Sequence, residues 1–139
     1  MIIFKTTQGM DKFNHAKKIR EIVFVNEQQF INEFDDIDKI AFHVVAYEND
    51  KPAACARFFK EDEQYIIGRI AVIKELRGKG LGADIVDFCE KEIIKLGGKS
   101  TSLSAQVRAM EFYKKIGYSP IGEQYMEEHV PHIKMTKKL

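Results

Sequence analysis

The first half of the chain shows two hydrophobic periodicities, one typical of strands and one typical of a helix. An apolar run at residues 1–7 predicts a strand, and apolar residues that recur every three or four positions over 13–23 predict a helix, with Asp11 just before it. The polar, acidic segment 33–38 predicts a loop or a short helical turn. Three β-rich runs follow, separated by short polar breaks, and they predict an antiparallel meander at residues 41–48, 52–60 and 64–73.

The second half of the chain predicts alternating helices and strands. The glycine-rich segment Arg77–Gly82 opens an amphipathic stretch, 83–96, whose apolar residues form one stripe, so a core-facing helix is expected there. A shorter helix is expected at 109–116, because Gly117 ends a run of the same periodicity. The remaining runs predict strands at residues 100–104, 118–122 and 132–136, with an acidic loop around Glu127 and Glu128 between the last two.

The predicted order of elements, β-α-β-β-β-α-β-α-β-β, is that of a mixed α/β fold. No stretch rich in Ser, Gly or Pro divides the chain, so we expect residues 1–139 to form a single domain. The chain has 139 residues, of which 45% are hydrophobic and 31% charged, and this composition is typical of one soluble globular domain.

Charge and hydropathy limit the partners that we expect. The net charge is +1 and long runs of like charge are absent from the sequence, so we expect neither nucleic acid nor a membrane surface as a partner. The apolar runs are far shorter than the roughly 20 residues that span a bilayer. The first residues lack the basic flank, apolar core and cleavage site of a secretory signal, which favours a cytoplasmic location.

The cysteines and histidines do not follow the spacing of a metal site. Cys55 and Cys89 stand alone in the sequence, which indicates reduced core cysteines rather than a disulfide or a zinc site. Pro131 separates His129 from His132, which argues against a helical metal pair. We therefore expect no metal.

The glycine-rich segment Arg77–Gly82 lies between a predicted strand and a predicted helix, where main-chain N–H groups and the helix dipole favour an anion such as a phosphate. Glycines at such a turn also occur as a merely tight connection. Two other phosphate motifs do not fit. A dinucleotide motif would need an acidic residue about 20 positions later, and residues 95–110 contain none; Gly98-Lys99-Ser100 follows a helix instead of opening one, and Ile93 stands where a P-loop has glycine.

Two separated motifs carry a family resemblance. Ile70-Ala71-Val72 with Arg77–Gly82 is similar to the strand and the Gln/Arg-x-x-Gly-x-Gly/Ala turn of the GNAT family of N-acetyltransferases, and Gln106–Ala109 with Phe112–Tyr118 resembles its second motif. The segments VFVNEQ, EFDDID, FHVVA and HIKMTKK further resemble the small bacterial ElaA-like branch. Gln106 is a departure, because many members carry Asn at this position.

The resemblance implies a fold and a cofactor. The fold is a twisted, mostly antiparallel sheet with helices on both faces and a V-shaped opening. The cofactor is acetyl-CoA, with its pyrophosphate on the glycine turn and its pantetheine arm along the strand 70–72. The cofactor-binding residues so implied are Ile70, Ala71, Val72, Arg77, Gly78, Lys79, Gly80, Leu81, Gly82, Gln106, Ala109, Phe112 and Tyr113.

The resemblance also implies which residues act as general acid and general base. Tyr113 matches the tyrosine beside the sulfur and is predicted to protonate the departing thiolate, with packing against the sheet as the less favoured alternative. Glu27 is predicted to be the base that accepts the ammonium proton, with a solvated helix-end carboxylate as the alternative. His43 is a second candidate for the base, against the usual structural role of a lone histidine in a strand.

Charged residues within apolar strands are candidates for holding the acceptor. Arg57 and Arg69 could bind an acceptor carboxylate or phosphate, but an ion pair within the fold is slightly favoured. With Glu27 and His43 they complete the predicted substrate-binding set. Asp35, Asp36 and Asp38 could attract a cationic amine, or simply be solvated.

The predicted function is acetyl transfer from acetyl-CoA to a primary amine of a small molecule or a peptide, by direct attack in a ternary complex. The alternative is an acyl-CoA-binding or sensing module without catalysis. The sequence does not name the acceptor, and it leaves open whether an apolar edge near the last strands pairs two copies as a homodimer.

Overall fold

One seven-stranded sheet organises the protein in the computed structural model, which describes residues 1–9 and 13–139. Asp11, expected just before the first helix, lies outside the described residues. The spatial order of the strands is β1-β2-β3-β4-β5-β7-β6. Their bounds are β1 Ile2–Gln8, β2 Phe42–Glu48, β3 Lys51–Glu61, β4 Gln64–Val72, β5 Ser100–Gln106, β6 Ser119–Glu127 and β7 Val130–Lys138.

All neighbouring strands of the sheet pair antiparallel except β4 and β5, which are parallel. The β2-β3-β4 meander follows from its two tight turns. Asn49 and Asp50 have φ of 50° and 66°, and Asp62 and Glu63 have φ of 49° and 66°. Two successive residues in the left-handed region form the hairpin turn whose twist matches that of the flanking strands. The predicted meander is confirmed.

Helices cover both faces of the sheet. Helix α1, Asn14–Arg20, continues as a π-helical segment, Glu21–Glu27, and packs on one face; α2, Leu81–Lys95, and α3, Met110–Lys115, lie on the other. Short 3₁₀ turns occupy Asp36–Lys39, Lys74–Leu76 and Val107–Ala109. None of the helices in the described ranges is both long and apolar enough to cross a membrane.

Strand periodicity divides the core between the two faces. Val44 and Ala46 of β2 belong to the cluster that contains Ile85 and Cys89 of α2, whereas Val45 between them packs in the cluster of α1. Successive side chains of a strand point to opposite faces, so one apolar strand supplies both cores. Cys55 and Cys89 are both free and buried, as expected.

The element order predicted from the sequence is confirmed, but the last hairpin differs from the prediction. The acidic loop expected around Glu127 and Glu128 is strand up to Glu127, and the turn is only Glu128 and His129. The physical reason is exposure: all nine residues of the edge strand β6 are exposed, so acidic and polar residues carry no burial penalty there.

Candidate functional site

A V-shaped cleft opens where β4 and β5 separate. The two strands pair only at Tyr65 with Thr101 and at Ile66 with Ser102, whereas β5 pairs with β7 on its other side along its whole length. A bulge bends β4 just beyond this point, because the four residues Gly68–Ala71 of β4 lie opposite only three residues of β3, 55–57. The main chain of β4 past Ile66 therefore has no strand partner on its β5 side.

Arg69 lies in this bulge with φ of 50°, a left-handed conformation that non-glycine residues rarely adopt. Its guanidinium holds the conformation in place: Nε and Nη2 donate to the Glu33 carbonyl at 3.1 and 3.0 Å, and Nε lies 2.9 Å from Oε2 of Glu33. The bend in β4 that opens the cleft is thus anchored to the segment after the π-helix.

A cavity of about 840 Å³ occupies the cleft. Of the residues predicted for cofactor, acceptor or catalysis, the cavity is lined by Glu27, Arg57, Arg69, Ile70, Arg77, Gln106, Ala109 and Tyr113. Ala71 and Leu81 have buried side chains in the two cores, so only their main chains are available to a ligand. Val72, Gly78, Lys79, Gly80, Gly82 and Phe112 lie beyond the lining, around the end of β4 and the start of α2 and α3.

The glycine turn leads directly into α2. Gly78 and Gly80 have φ of 84° and 83°, a conformation that favours glycine, and Gly80 is the N-cap of α2. The first N–H groups of a helix lack intrahelical partners and present a positive dipole end. At Gly82 the start of α2 lies close to β4 and α3. A Cβ added to Gly82 would lie 3.4 Å from the Phe112 ring and 3.8 Å from Val72.

Arg77 and Glu27, predicted for different roles, bind each other. Both Nη atoms of Arg77 donate to the Glu27 carboxylate at 2.7 Å, and Nε donates to the Val72 carbonyl at 2.9 Å. The hydrogen bonds and charge of Arg77 lower the pKa of Glu27, and the pairing raises the pKa of Arg77. Both side chains remain about one-third exposed, so the pair lies at the solvent edge of the cavity.

Tyr113 reaches the cavity from the helical side. The residue is 9% exposed, and its ring packs edge-on against Phe112 and Tyr118. Burial raises the pKa of Tyr113 to about 12. No hydrogen bond to its hydroxyl occurs within residues 1–9 and 13–139, and the ring lines the cavity, so this hydroxyl can serve a ligand.

The crossing segment, residues 28–33 after the π-helical segment, spans the cleft and is bound by the turn between β6 and β7 at the edge of the sheet. The carboxylate of Glu128 accepts the N–H groups of Ile31 and Asn32 at 2.8 and 2.9 Å, which lowers its pKa. His129 Nε2 lies 2.8 Å from the Gln28 carbonyl. The turn between β6 and β7 thereby closes one side of the cavity.

Gln106, where the family often has Asn, contributes to the same closure. Its Nε2 donates to Oε1 of Gln28 at 2.8 Å, and its own Oε1 accepts from Nε of Arg108 at 2.8 Å. The longer amide thus bridges β5 to the crossing segment. Sequence reasoning missed the roles of Gln28 and Glu128, because no local pattern indicates contacts between residues that are 78 to 101 positions apart.

Arg57 is engaged in a buried ion network on the α1 face of the sheet. Its Nη1 lies 2.6 Å from Asp35 and 2.8 Å from Asp38, and Arg20 binds Asp38 at 2.8 Å and Glu33 at 2.9 Å. Burial alone would raise the pKa of Asp38, but the hydrogen bonds and charges of the two arginines lower it to about 2. The three arginines 20, 57 and 69 face the three carboxylates 33, 35 and 38, so the network balances its own charge.

His43 lies within this network and away from the cavity. Its ring is 3% exposed, contacts Phe13, and places Nε2 2.9 Å from the Asp38 carbonyl. Burial lowers the pKa of His43, so the neutral form of the ring is favoured. Asp36, by contrast, is almost fully exposed and pairs with Lys39 at 3.2 Å.

Two polar residues that line the cavity were not among the predicted site residues. Glu127 and His132 both line the cavity, and Ser104 donates to Glu127 at 2.8 Å while also contacting the Tyr125 hydroxyl. From the sequence, His132 was a candidate only for a metal pair with His129, which Pro131 argues against. Across the described residues, no group of three or more His, Cys, Asp or Glu side chains is arranged to hold a metal ion.

Comparison with known proteins places the fold and the cleft in a family. Residues 10–139 match the family described as "Acetyltransferase (GNAT) domain". The protein named "Uncharacterized N-acetyltransferase YjcF" of Bacillus subtilis is 33% identical over 130 residues, which cover 91% of this chain and 93% of YjcF. Protein ElaA of Escherichia coli is 32% identical over 129 residues, which cover 88% of this chain and 84% of ElaA.

Solved structures agree with this assignment. The crystal structure of Escherichia coli ElaA superposes with a TM-score of 0.86 at 28% identity, over 99% of both chains. A GNAT acetyltransferase from Elizabethkingia anophelis with acetyl-CoA bound shares the fold, with a TM-score of 0.77 at 15% identity over 99% of this chain and 98% of that one. Sequence, topology and the divergence of β4 from β5 thus lead to one conclusion: the chain belongs to the GNAT family, in its ElaA-like branch, and is an acetyl-CoA-dependent N-acetyltransferase.

Proposed function

We propose that the protein transfers the acetyl group directly from acetyl-CoA to a primary amine of a small molecule or a peptide, with both substrates bound in the cleft. The observation that carries the proposal is the bulged, unpaired edge of β4 beside a cavity of about 840 Å³. An extended arm can add to such an edge as a strand does, and the rest of the cavity leaves space for an amine.

The residues around the cleft fit acetyl-CoA, which supplies an activated acetyl thioester. Main-chain groups of Ile70, Ala71 and Val72 would pair with the pantetheine arm. The N–H groups of the turn 78–82, with the positive charges of Arg77 and Lys79, would hold the pyrophosphate. Ala109 and Gln106 would border the arm on the β5 side, and Phe112 would pack beside the turn.

Glu27 is the proposed base, and Arg77 controls it. While Arg77 occupies both oxygens of Glu27, the carboxylate is a weak proton acceptor, because the ion pair stabilises its charged form. A pyrophosphate on the glycine turn offers Arg77 a second anion. We propose that Arg77 turns from Glu27 to that anion, so that the carboxylate becomes available to the acceptor ammonium only after the acetyl donor has bound.

Tyr113 is the proposed proton donor to the departing thiolate. A pKa of about 12 keeps its hydroxyl protonated throughout the physiological range, and its side chain borders the cavity. Attack on the thioester carbon needs an amine within about 3 to 3.5 Å and donors for the developing oxyanion. The main-chain N–H groups of β4 near Ile70, which have no strand partner on the β5 side, would be the donors to this oxyanion.

The proposal is tested with the Tyr113→Phe variant. We expect calorimetry to give the same acetyl-CoA dissociation constant for wild type and variant, because the phenyl ring keeps its packing against Phe112 and Tyr118. Thiol release with a panel of primary amines should fall by roughly ten- to a hundredfold in kcat. Equal kcat for both proteins at every pH would remove Tyr113 from the reaction. Acetyl-CoA binding without thiol release from any amine would instead favour a sensing module.

A further inference from the structure

Glu90 of α2 is a buried carboxylate that lies outside the cleft. Its side chain is 8% exposed, and it is not one of the residues that line the cavity. Its Oε2 accepts a hydrogen bond from the Tyr118 hydroxyl at 2.8 Å, and its Oε1 accepts one from Nζ of Lys137 at 2.9 Å. Burial and the hydrogen bond to Glu90 raise the pKa of Tyr118, so this hydroxyl remains the donor. Glu90 therefore fixes two side chains that come from other elements.

Tyr118 belongs to the motif that ends α3, the six-residue helix that carries Tyr113. Its N–H donates to the Tyr113 carbonyl at 3.0 Å, and the N–H of Gly117 donates to the Lys114 carbonyl at 3.1 Å. With Gly117 at φ of 104°, these are the two hydrogen bonds of a Schellman motif. The rings of Tyr118 and Tyr113 also pack edge-on, with centroids 6.1 Å apart. Glu90 thus holds the residue that contacts Tyr113 through both main chain and ring.

Lys137 of β7 connects Glu90 to the same helix end by a second route. Its Nζ donates to the Ile116 carbonyl at 2.9 Å as well as to Glu90. Ile116 is the C-cap of α3, where carbonyl groups lack partners within the helix and a cation is favoured by the helix dipole. The stem of Lys137 lies against Gly117, where an added Cβ would be 3.0 Å from its Cε. Because so short a helix gains little stability from its own hydrogen bonds, these contacts set its position.

We propose that Glu90 is a positioning residue for Tyr113. Through Tyr118 and Lys137, it holds the Tyr113 hydroxyl where that hydroxyl can protonate the departing thiolate. Tyr113 has no hydrogen bond to its hydroxyl within residues 1–9 and 13–139, so its place at the cavity is set by packing and by the helix that carries it. A misplacement of about 1 Å can cost roughly a hundredfold in rate. The inference rests on the proposed function.

A double-mutant cycle between Glu90→Gln and Tyr113→Phe tests the inference, with thiol release measured at saturating acetyl-CoA and amine. Gln keeps the size of the side chain but loses the charge that binds Lys137. We expect Glu90→Gln alone to lower kcat by roughly threefold to tenfold, with the KM for acetyl-CoA unchanged. In the Tyr113→Phe background it should lower kcat no further, because the hydroxyl that it positions is absent. Asp87→Asn, which breaks an exposed ion pair with Lys91 on the same helix, should leave kcat unchanged.

Lys137→Met breaks the same bridge at a side chain that is 27% exposed, and it should show the same lack of additivity with Tyr113→Phe. Each kcat is divided by the acetyl-CoA sites counted by calorimetry, so that partial unfolding does not lower it. An equal fold-loss of kcat from Glu90→Gln in both backgrounds would show an effect on the fold as a whole and overturns the inference. An unchanged kcat in Glu90→Gln also overturns it.

Fluorine NMR of protein labelled with 3-fluorotyrosine separates this inference from the proposed function. The Tyr113 resonance is the one that disappears in Tyr113→Phe. With coenzyme A bound, Glu90→Gln should shift this resonance, whereas Asp87→Asn should not. A wild-type kcat in Tyr113→Phe would remove Tyr113 from the reaction, while a shifted resonance would still support its positioning by Glu90. An unchanged resonance in Glu90→Gln overturns the inference whatever the value of kcat.

Discussion

At the scale of single residues, the contact between Arg77 and Glu27 joins the two halves of the proposed reaction. Arg77 belongs to the turn that would bind the pyrophosphate, and Glu27 ends the π-helical segment above the acceptor side. Because one guanidinium cannot saturate two anions equally, donor binding and base release are linked. In the proposed reaction this link would cost some affinity for acetyl-CoA and would prevent Glu27 from acting before the donor is present.

The Glu27→Ala variant tests this linkage. Without its carboxylate partner Arg77 is free for the pyrophosphate, so we expect acetyl-CoA to bind about two- to fivefold more tightly, as suits an ion pair that is one-third exposed. We expect kcat to fall by roughly a hundredfold because the base is lost. Glu21→Ala, an exposed carboxylate of the same helical segment, is the control and should change neither quantity. Weaker acetyl-CoA binding in Glu27→Ala would contradict the linkage.

At the scale of elements, the hairpin of β6 and β7 shapes one side of the cavity. Its turn residue Glu128 holds the main chain of Ile31 and Asn32, almost 100 residues earlier in the chain. Gln106 at the end of β5 holds Gln28 of the same segment. The crossing segment therefore has its conformation set by side chains from the C-terminal half of the protein.

The Glu128→Ala variant should loosen this crossing segment. Since the carboxylate accepts both N–H groups, we expect faster hydrogen exchange at Ile31 and Asn32, together with a higher KM for the amine. Acetyl-CoA binding at the glycine turn should be unaffected. Mass spectrometry of exchanged peptides provides the measurement, with peptides from α2 as an internal reference. Unchanged exchange across residues 28–33 would show that other contacts hold the segment.

At the scale of the whole molecule, the ion network ties the α1 face together. Arg20 of α1, Asp38 of the 3₁₀ turn and Arg57 of β3 meet within 2.8 Å contacts, and Arg69 connects the network to the bulge in β4. The side chains of Arg20, Asp38 and Arg57 are at most 5% exposed, so losing one of them leaves a buried charge uncompensated. Stability and the shape of the cleft therefore depend on the same residues.

The pH dependence of unfolding reports on this network. The pKa of Asp38 is about 2 in the folded protein and close to 3.8 when unfolded, so its contribution of about 2 kcal/mol is present above pH 4 and is lost as the pH falls toward 2. Burial raises the pKa of Glu33, so the contribution of Glu33 to the free energy of unfolding changes with pH in the opposite direction. Glu33 is present both in the wild type and in a variant of Asp38.

We expect Asp38→Asn to lower the free energy of unfolding by about 3 kcal/mol at pH 7, and this difference from wild type should shrink between pH 5 and pH 2. Urea denaturation at several pH values gives the measurement. Asp36→Asn alters the exposed neighbour in the same turn and should follow the wild-type curve. Parallel curves for Asp38→Asn and wild type would show that Asp38 has an ordinary pKa.

The sequence alone determined the order of the elements, the glycine turn and the family, because these depend on periodicity and on residues that are close together in the chain. Apolar spacing at 13–23 and 83–96 requires a buried face whatever lies opposite, and Arg77–Gly82 forms its turn locally. The tertiary structure decided which charges neutralise each other: Arg77 with Glu27, Arg57 with Asp35 and Asp38, and Glu128 with the main chain. It also decided that Glu127 and His132 face each other in the cavity. A carboxylate's partner is set by distance in space, and the register of β5, β6 and β7 brings together residues whose separation along the chain carries no signal of contact.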